Sequence, residues 1–473
     1  MKASNTNHWF QLKNFSAVLA LSFLLVSLSF LTSNDSYKFY DNSDDWYKLQ
    51  DDNFTAPDEE SLCLSSAKIL HRLEHQSGGV PKESVCRLRV PKSIVYEIDG
   101  DIRVDGNSSS IFWINSGGHE SLNVKPFPRN CDPNAMSSVR EFSVKSLQFQ
   151  NGSVPQCSSN HSYPAIIFST AAYTGNFFHD FTDVLIPLFL TAHRYHGEVQ
   201  FLITNMKPIW VEKYTIFFKS LTRYKIINID EEPHGNTHCY KSMTIGLYAH
   251  REFAIDPFMP PLGYTFADFT HFMRKSYYLE RHALRKHWES PPKRPKLLLI
   301  SRRWSRKLLN ANEIETMASD LGFEIIVMDE HDHPLDKYAQ IVNSCDVIVG
   351  IHGSALSYMV FLPQKAVVIQ IVPWGRLEGL SWCDYAFTVP KAKLKYLEYQ
   401  VSLEETTLLN KYPRDHPNIQ DPFSVHLQGF WVLKEAYMNE DVTLDLQKFR
   451  NTLVEALEHV KKQEKTSLGG RIS

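Results

Sequence analysis

Between Cys345 and Gly375 the chain reads CDVIVGIHGSALSYMVFLPQKAVVIQIVPWG, and few folds can hold such a stretch. Val347 to Ile351 and Ala366 to Val372 are short, rich in Val and Ile, and almost wholly apolar. Strands buried on both faces of a parallel sheet read this way. Between them, Ala355 to Leu362 has helical length and spacing and stops at Pro363, so the unit is strand, loop, helix, strand. The polar loop His352-Gly353-Ser354 then falls at the carboxyl end of a parallel strand and the amino end of a helix. Backbone N–H groups exposed there favour phosphate, and open α/β sheets take their ligands along that edge. The same letters also suit an ordinary βαβ turn that binds nothing.

The alternation extends in both directions. Upstream, strands are expected at Ala165–Ser169, Val199–Thr204, Lys225–Ile229 and Met243–Tyr248. Helices are expected over 176–195, kinked at Pro187, over 208–221 and over 265–286. Three prolines and mixed charge mark 287–296 as a linker. Beyond it come strands at Lys296–Ile300 and Phe323–Met328, helices at 311–321 and 335–344, and a last helix at 443–462. Ahead of all this, Ile94–Ile98, a turn at Asp99-Gly-Asp, Ile102–Val104, Ile111–Ile114 and Val139–Phe149 read as an antiparallel lead-in packed on the first half. A chain of 473 residues is too long for one core. The expected fold class is α/β, two Rossmann-like domains facing a cleft in the arrangement called GT-B. The first domain covers 84–286 and the second 297–440, with a terminal helix and tail at 441–473.

The amino terminus bears on compartment. Phe15 to Leu31 is uncharged and mostly apolar, with Lys2 and Lys13 before it and six Asp residues between 35 and 52 after it. That pattern fits a signal anchor at 15–31, with a cytoplasmic tail at 1–14 and a lumenal stem at 32–83. Ser27 and Ser29 also allow a cleaved signal peptide. Sequons at Asn34, Asn53, Asn107, Asn151 and Asn160 agree with a lumenal front half.

Three groups of residues have chemistry to offer. The loop His352-Gly353-Ser354 offers an imidazole and close backbone approach; a His that merely caps the next helix is the alternative. Arg302, Arg303, Arg306 and Lys307 crowd the end of the strand that opens the second half. Guanidinium forks match a diphosphate and oppose the charge on a departing nucleoside diphosphate, with Arg302 and Arg306 the preferred pair, although basic clusters are commonly just solvated surface. His179 and Asp183 are four apart on one helix face. Either is a candidate base for an acceptor hydroxyl, or the pair only holds the helix to its sheet. Donor in the second half and base in the first make glycosyl transfer from a nucleotide sugar the expected chemistry.

Other classes find little support. Net charge is −3, which gives nucleic acid no footing. The seven cysteines include no CxxC pair, which disfavours a zinc site, and Cys345 inside its strand is the candidate free thiol. There is no P-loop and no HExxH, and the one DxD, Asp99-Gly-Asp101, lies in the lead-in, so a metal-bound donor is not expected.

The loop and second run from Gly350 to Gly375 resemble glycosyltransferase family 61, in its plant xylan-modifying branch. So do NFFHDFTDVLIPLF at 176–189, DFT at 268–270, LLISR followed by RKLLN at 298–310, and YPRDHP at 412–417. The resemblance covers roughly residues 84–460. It implies a Golgi-anchored, inverting enzyme of GT-B-like fold that uses a UDP-pentose and no tightly bound cofactor. The acceptor is then xylan, with a Golgi synthase complex as a further partner. Transfer of xylose to N-glycan cores, or a non-catalytic glycan-binding relative, are the alternatives it leaves. Two departures stand out. The family loop HGAGLTN is here HGSALSY, placing Ala355 and Tyr358 where the family has Gly and Asn, a change expected to bear on donor choice or activity. Tyr96 occupies the position of a second cysteine ten residues after Cys86.

Overall fold

Runs of Val, Ile and Leu build two sheets in the computed structural model, which describes residues 85–90, 92–114, 121–147, 154–284, 294–329 and 334–466. All of these belong to one compact unit, Pro57–Ser473. The first sheet comprises β1 (Val85–Val90), β2 (Ser93–Asp105), β3 (Ser110–Ile114), β4 (Ser121–Val124), β5 (Phe142–Leu147), β6 (Ser159–Asn160), β7 (Ala165–Ser169), β8 (Gln200–Thr204), β9 (Ile227–Asn228) and β10 (Thr237–Ile245). Its order is β4-β5-β3-β2-β10-β7-β8-β9, with β1 also on β2 and β6 on β10. From β10 through β7 and β8 to β9 the strands are parallel. The second sheet is wholly parallel, in the order β12-β11-β13-β14-β15: β11 (Lys296–Ser301), β12 (Glu324–Asp329), β13 (Val347–Ile351), β14 (Val367–Val372) and β15 (Lys395–Gln400).

The lead-in departs from its expected form. β2 does not turn at Asp99-Gly-Asp but runs straight through thirteen residues. Gly100 takes φ 130° there, and the opposing β10 shifts register between Tyr240 and Ser242, so a bulge absorbs the irregularity. Because β2 pairs with β10 directly, the lead-in extends the first sheet rather than packing on it. A disulfide between Cys157 and Cys239 ties the approach to β6 into β10.

Helices differ from expectation where tertiary contacts intervene. The run from Phe177 to Tyr195 is helical throughout, but its second turn, Asp180–Leu185, is a π-helix, followed by α-helix over Ile186–Ala192. Pro187 has no N–H for the Asp183 carbonyl, so the irregularity lies just ahead of the proline. The 208–221 helix breaks at Tyr214, whose hydroxyl donates to the buried Asp180 carboxylate at 2.7 Å. Thr265 and Asp268 form a capping box that starts helix Phe266–Ser276. That helix ends ten residues short of the expected 286, where Tyr278 turns left-handed at φ 53°. The segment after His352-Gly353 is a 3-10 helix, Ser354–Phe361, rather than an α-helix. The last helix, Leu446–Thr466, covers its expected position.

The sheets share one hydrophobic core. Phe177 meets Tyr358 at 4.4 Å between ring centres, and Arg274 on helix Phe266–Ser276 donates to the Leu362 carbonyl at 2.9 Å. Tyr358 is thus part of the core, with its ring also 4.9 Å from that of Tyr338. Cys345 is a buried free thiol. Asn107 and Asn160 are exposed, whereas Asn34, Asn53, Asn151 and the expected anchor at 15–31 lie outside the described residues. Among the described residues no helix is long and apolar enough to cross a membrane.

Candidate active site

Strand order decides where side chains can collect. In the parallel sheet the chain lays β12 on one side of β11 and then β13, β14 and β15 on the other. The strand order thus reverses between β11 and β13, the place along such a sheet where open α/β folds take ligands. Arg302 to Lys307 follow β11 and His352-Gly353 follows β13. Arg306 is buried and its Nη1 donates to the His352 carbonyl at 2.6 Å. Arg306 itself sits at φ 56°, a strained backbone held by these contacts. Gly353 has φ 149°, and a Cβ there would lie 2.7 Å from Arg306 Nη1 and 3.0 Å from Arg302 Nη1. Two guanidiniums thus crowd one glycine. Arg303 instead pairs with Asp329 at the end of β12, at 2.7 Å.

His352 is fixed from behind. Gln370 on β14 donates its Nε2 to His352 Nδ1 at 2.7 Å, which leaves the ring proton on Nε2. Burial, then the charges of Arg306 and Arg302, push this imidazole down to about 3, so it stays neutral. Nε2 lies 3.6 Å from Asp384 Oδ2. Asp384 belongs to a second π-helical turn, Trp382–Ala386, whose Tyr385 hydroxyl donates to the Gly353 carbonyl at 2.8 Å. Burial and the neighbouring Glu252 push the Asp384 carboxyl up to about 8, against the pull of Arg129 and Lys92.

The first sheet repeats the logic. Its parallel strands reverse order between β7 and β10, and the elements that follow those two strands carry His179 with Asp183, and Glu252. Lys92, between β1 and β2, and Arg129, at φ 79°, join them; the Arg129 amide donates to the Lys92 carbonyl at 2.7 Å. Asp183 is wholly buried. Lys92 Nζ is 3.2 Å from its Oδ1, Arg129 Nε is 2.8 Å from its Oδ2, and His179 Nδ1 is 3.0 Å from the same Oδ2. Arg129 Nη2 approaches His179 Nδ1 at 3.2 Å as well. Glu252 takes Lys92 at 2.9 Å and Arg129 at 3.0 Å. Burial would raise the Asp183 carboxyl, but Lys92, Arg129 and His179 overrule it and hold it far below the usual range. Asp183 can therefore accept no proton near neutrality. His179 keeps about a quarter of its side chain exposed and its Nε2 unspent by these bonds.

Aromatic rings seal the two edges together. Tyr385 lies 5.7 Å from Phe178 and 5.5 Å from Phe253. Of the residues expected from sequence, His179 and Asp183 meet, and Arg302, Arg306, His352 and Gly353 meet, with Ser354 starting the helix beyond them. Asp384 adjoins His352, and the charges of Glu252, Arg129 and Lys92 act on it as well, so it is coupled to both sets. Lys92, Arg129, Glu252, Gln370, Asp384 and Tyr385 escaped the sequence reading, because each comes from a different stretch and none stands in a recognisable spacing. A cavity of about 410 Å³ opens at the ends of β14 and β15, lined by Trp374, Gly375, Glu378 and Gln400 among others. No cluster of metal-ligating side chains occurs among the described residues.

Residues 177–369 match the family model for Glycosyltransferase 61. The chain is 39% identical over 384 residues to alpha-1,3-arabinosyltransferase XAT2 of Oryza sativa subsp. japonica, covering 80% of this chain and 65% of that protein. It is 37% identical over 392 residues to beta-1,2-xylosyltransferase XYXT1 of the same plant, covering 79% of this chain and 83% of the relative. The xylan glycosyltransferase MUCI21 of Arabidopsis thaliana is 32% identical over 384 residues, 77% of each chain. The chain thus spans just under two thirds of the arabinosyltransferase's length.

Proposed function

The chain belongs to glycosyltransferase family 61, and on that footing we propose that it transfers a pentose, arabinofuranose or xylose, from a UDP-sugar to xylan with inversion. The observation that carries the reading is Arg306 on the His352 carbonyl, with Arg302 beside it, at the point where the parallel sheet reverses its strand order. Arg302 and Arg306 hold the diphosphate and oppose the charge that grows on departing UDP. The neutral His352 Nε2–H and the loop at Gly353 and Ser354 face the nucleotide, whose nucleoside lodges in the cavity beside β14 and β15. These cations make no call on a metal ion. The two sheets act as GT-B halves, 84–286 for the acceptor and 297–440 for the donor, joined through 287–296.

Transfer is a single displacement. The acceptor hydroxyl attacks the anomeric carbon from the face opposite UDP, forming the new C–O bond as the bond to the β-phosphate oxygen breaks and its electron pair leaves with UDP. The hydroxyl proton passes to His179 Nε2, while Asp183 steadies the imidazolium through Nδ1. One displacement inverts the centre without a covalent intermediate. The relatives' names, arabinosyl-, xylosyl- and xylan glycosyltransferase, support the choice of pentose and acceptor. The amino-terminal pattern supports a single-pass type II Golgi protein with a lumenal catalytic part. Incubating the full-length chain with UDP-arabinofuranose or UDP-xylose and xylo-oligosaccharides should yield an oligosaccharide one pentose heavier. No product with either donor would sink the proposal.

A further inference from the structure

We propose that Asp384 reads the ring hydroxyls of the transferred pentose and so helps to set which donor the enzyme accepts. This rests on the donor and acceptor sides assigned above. A sugar in flight must lie between the group that holds its phosphate and the group that meets its acceptor. Asp384 adjoins the donor-side loop and feels the charges of the acceptor-side cluster. On one side its Oδ2 is 3.6 Å from His352 Nε2; on the other it senses Glu252, Arg129 and Lys92, which surround the His179–Asp183 pair. About a sixth of its side chain remains exposed, so a ligand can touch it.

Two further features fit this role. Asp384 and Asp183 each sit on a π-helical turn, Trp382–Ala386 and Asp180–Leu185, one from each sheet's side of the seam. Such turns are rare and re-aim side chains, and they gather at functional sites. Tyr385 anchors the second turn to the loop through the Gly353 carbonyl, so Asp384 is set relative to the phosphate site rather than to solvent. The groups facing it are His352 and Tyr385 from its own side and Glu252, Arg129 and Lys92 from the other. With its carboxyl pushed up to about 8, Asp384 is mostly a neutral acid near pH 7. A fixed anion at this point would repel a diphosphate, whereas a neutral carboxylic acid both donates and accepts. That is the pairing a vicinal diol offers.

The test separates sugar from nucleotide. Calorimetry on the full-length chain would compare UDP, UDP-xylose and UDP-arabinofuranose, in the wild type, D384L and D384N. D384L keeps the branched shape, though with bulkier ends, and removes both hydrogen-bonding atoms; D384N restores a donor and an acceptor. The expected result is UDP affinity unchanged in D384L, which also reports an intact fold, with affinity for the accepted UDP-pentose weakened roughly 10- to 100-fold and mostly recovered in D384N. Equal weakening of UDP and UDP-pentose would overturn the inference in favour of a loop support. So would unchanged affinities with slower turnover, which would mark a proton acceptor. A wild type that binds neither UDP nor any UDP-pentose would remove the donor assignment itself, and this inference with it.

Discussion

At the residue scale the decisive contrast is between two carboxyls. Asp183 is buried and pinned by Lys92 and Arg129; Asp384 is mostly buried, with Glu252 the strongest charge acting on it. Desolvation acts on both, and the cations win only at Asp183. Removing that charge leaves Lys92 and Arg129, both mostly buried, to share Glu252 as their one remaining carboxylate in this network, so Asp183→Asn is expected to cost about 2–4 kcal/mol of stability in a urea titration. The sign with pH follows from a depressed carboxyl. Its contribution is present above the ordinary carboxylate range, near pH 4, and is lost as acid protonates the folded form. His179→Gln leaves that network's charges in place, and should lower turnover about 10²- to 10⁴-fold while UDP affinity holds. Loss of UDP binding in that variant would place His179 on the donor side. His179 with Asp183 was legible because spacing of four on a helix is visible in letters. Lys92, Arg129 and Glu252 were not, since three separate connections deliver them and only the fold makes them neighbours.

At the element scale, strands read well and connections read poorly. β7, β8, β11, β13 and β14 fall where short aliphatic runs put them, because burial on both faces leaves no other use for such runs; β12, at the sheet edge, also falls where its Ile- and Val-rich run puts it. β15 was missed: Lys395–Gln400 alternates polar and apolar residues at the sheet's edge, a weaker signal. The turn expected at Asp99-Gly-Asp failed because Gly suits a bulge as well as a turn, and only the partner strand chooses. Of the two π-helical turns, the one carrying Asp183 is marked in sequence only by Pro187 just beyond it, and the one carrying Asp384 by no residue pattern. Gly353 is the element-level test of the loop. Its φ of 149° is unfavourable for a side chain, and a methyl would meet both guanidiniums. Gly353→Ala should therefore strain the backbone by about 1–3 kcal/mol and push Arg306 off the His352 carbonyl. UDP affinity is expected to fall by about tenfold or more, with a lowered melting temperature. An alanine variant that binds UDP normally would show that the arginines do not work through this loop.

At the scale of the whole molecule, burial favours the uncharged forms around the His352 loop: it pushes His352 down to about 3 and Asp384 up to about 8. That arrangement costs stability as pH rises. Asp384 in the fold, at about 8, binds its proton more tightly than in the unfolded chain, near 3.9. Below about pH 4 both states are protonated and the site carries no penalty; between there and about pH 8 the unfolded chain releases the proton and the folded one does not, so stability falls; above that range the loss is complete. Relaxation and water reduce the full value to an expected 2–4 kcal/mol or so. Asp384→Asn should accordingly melt higher than the wild type, with a gap that is small near pH 5 and widest near pH 8.5. On the proposed function, donor binding is linked to the same proton. An incoming diphosphate favours the protonated acid, so UDP-xylose, whose diphosphate does not titrate in this range, should raise the melting temperature more at pH 6 than at pH 8.5 in the wild type. In Asp384→Asn that difference should shrink. If it is the same in both proteins, the proton that donor binding senses is on another group, and Asp384 does not face the diphosphate.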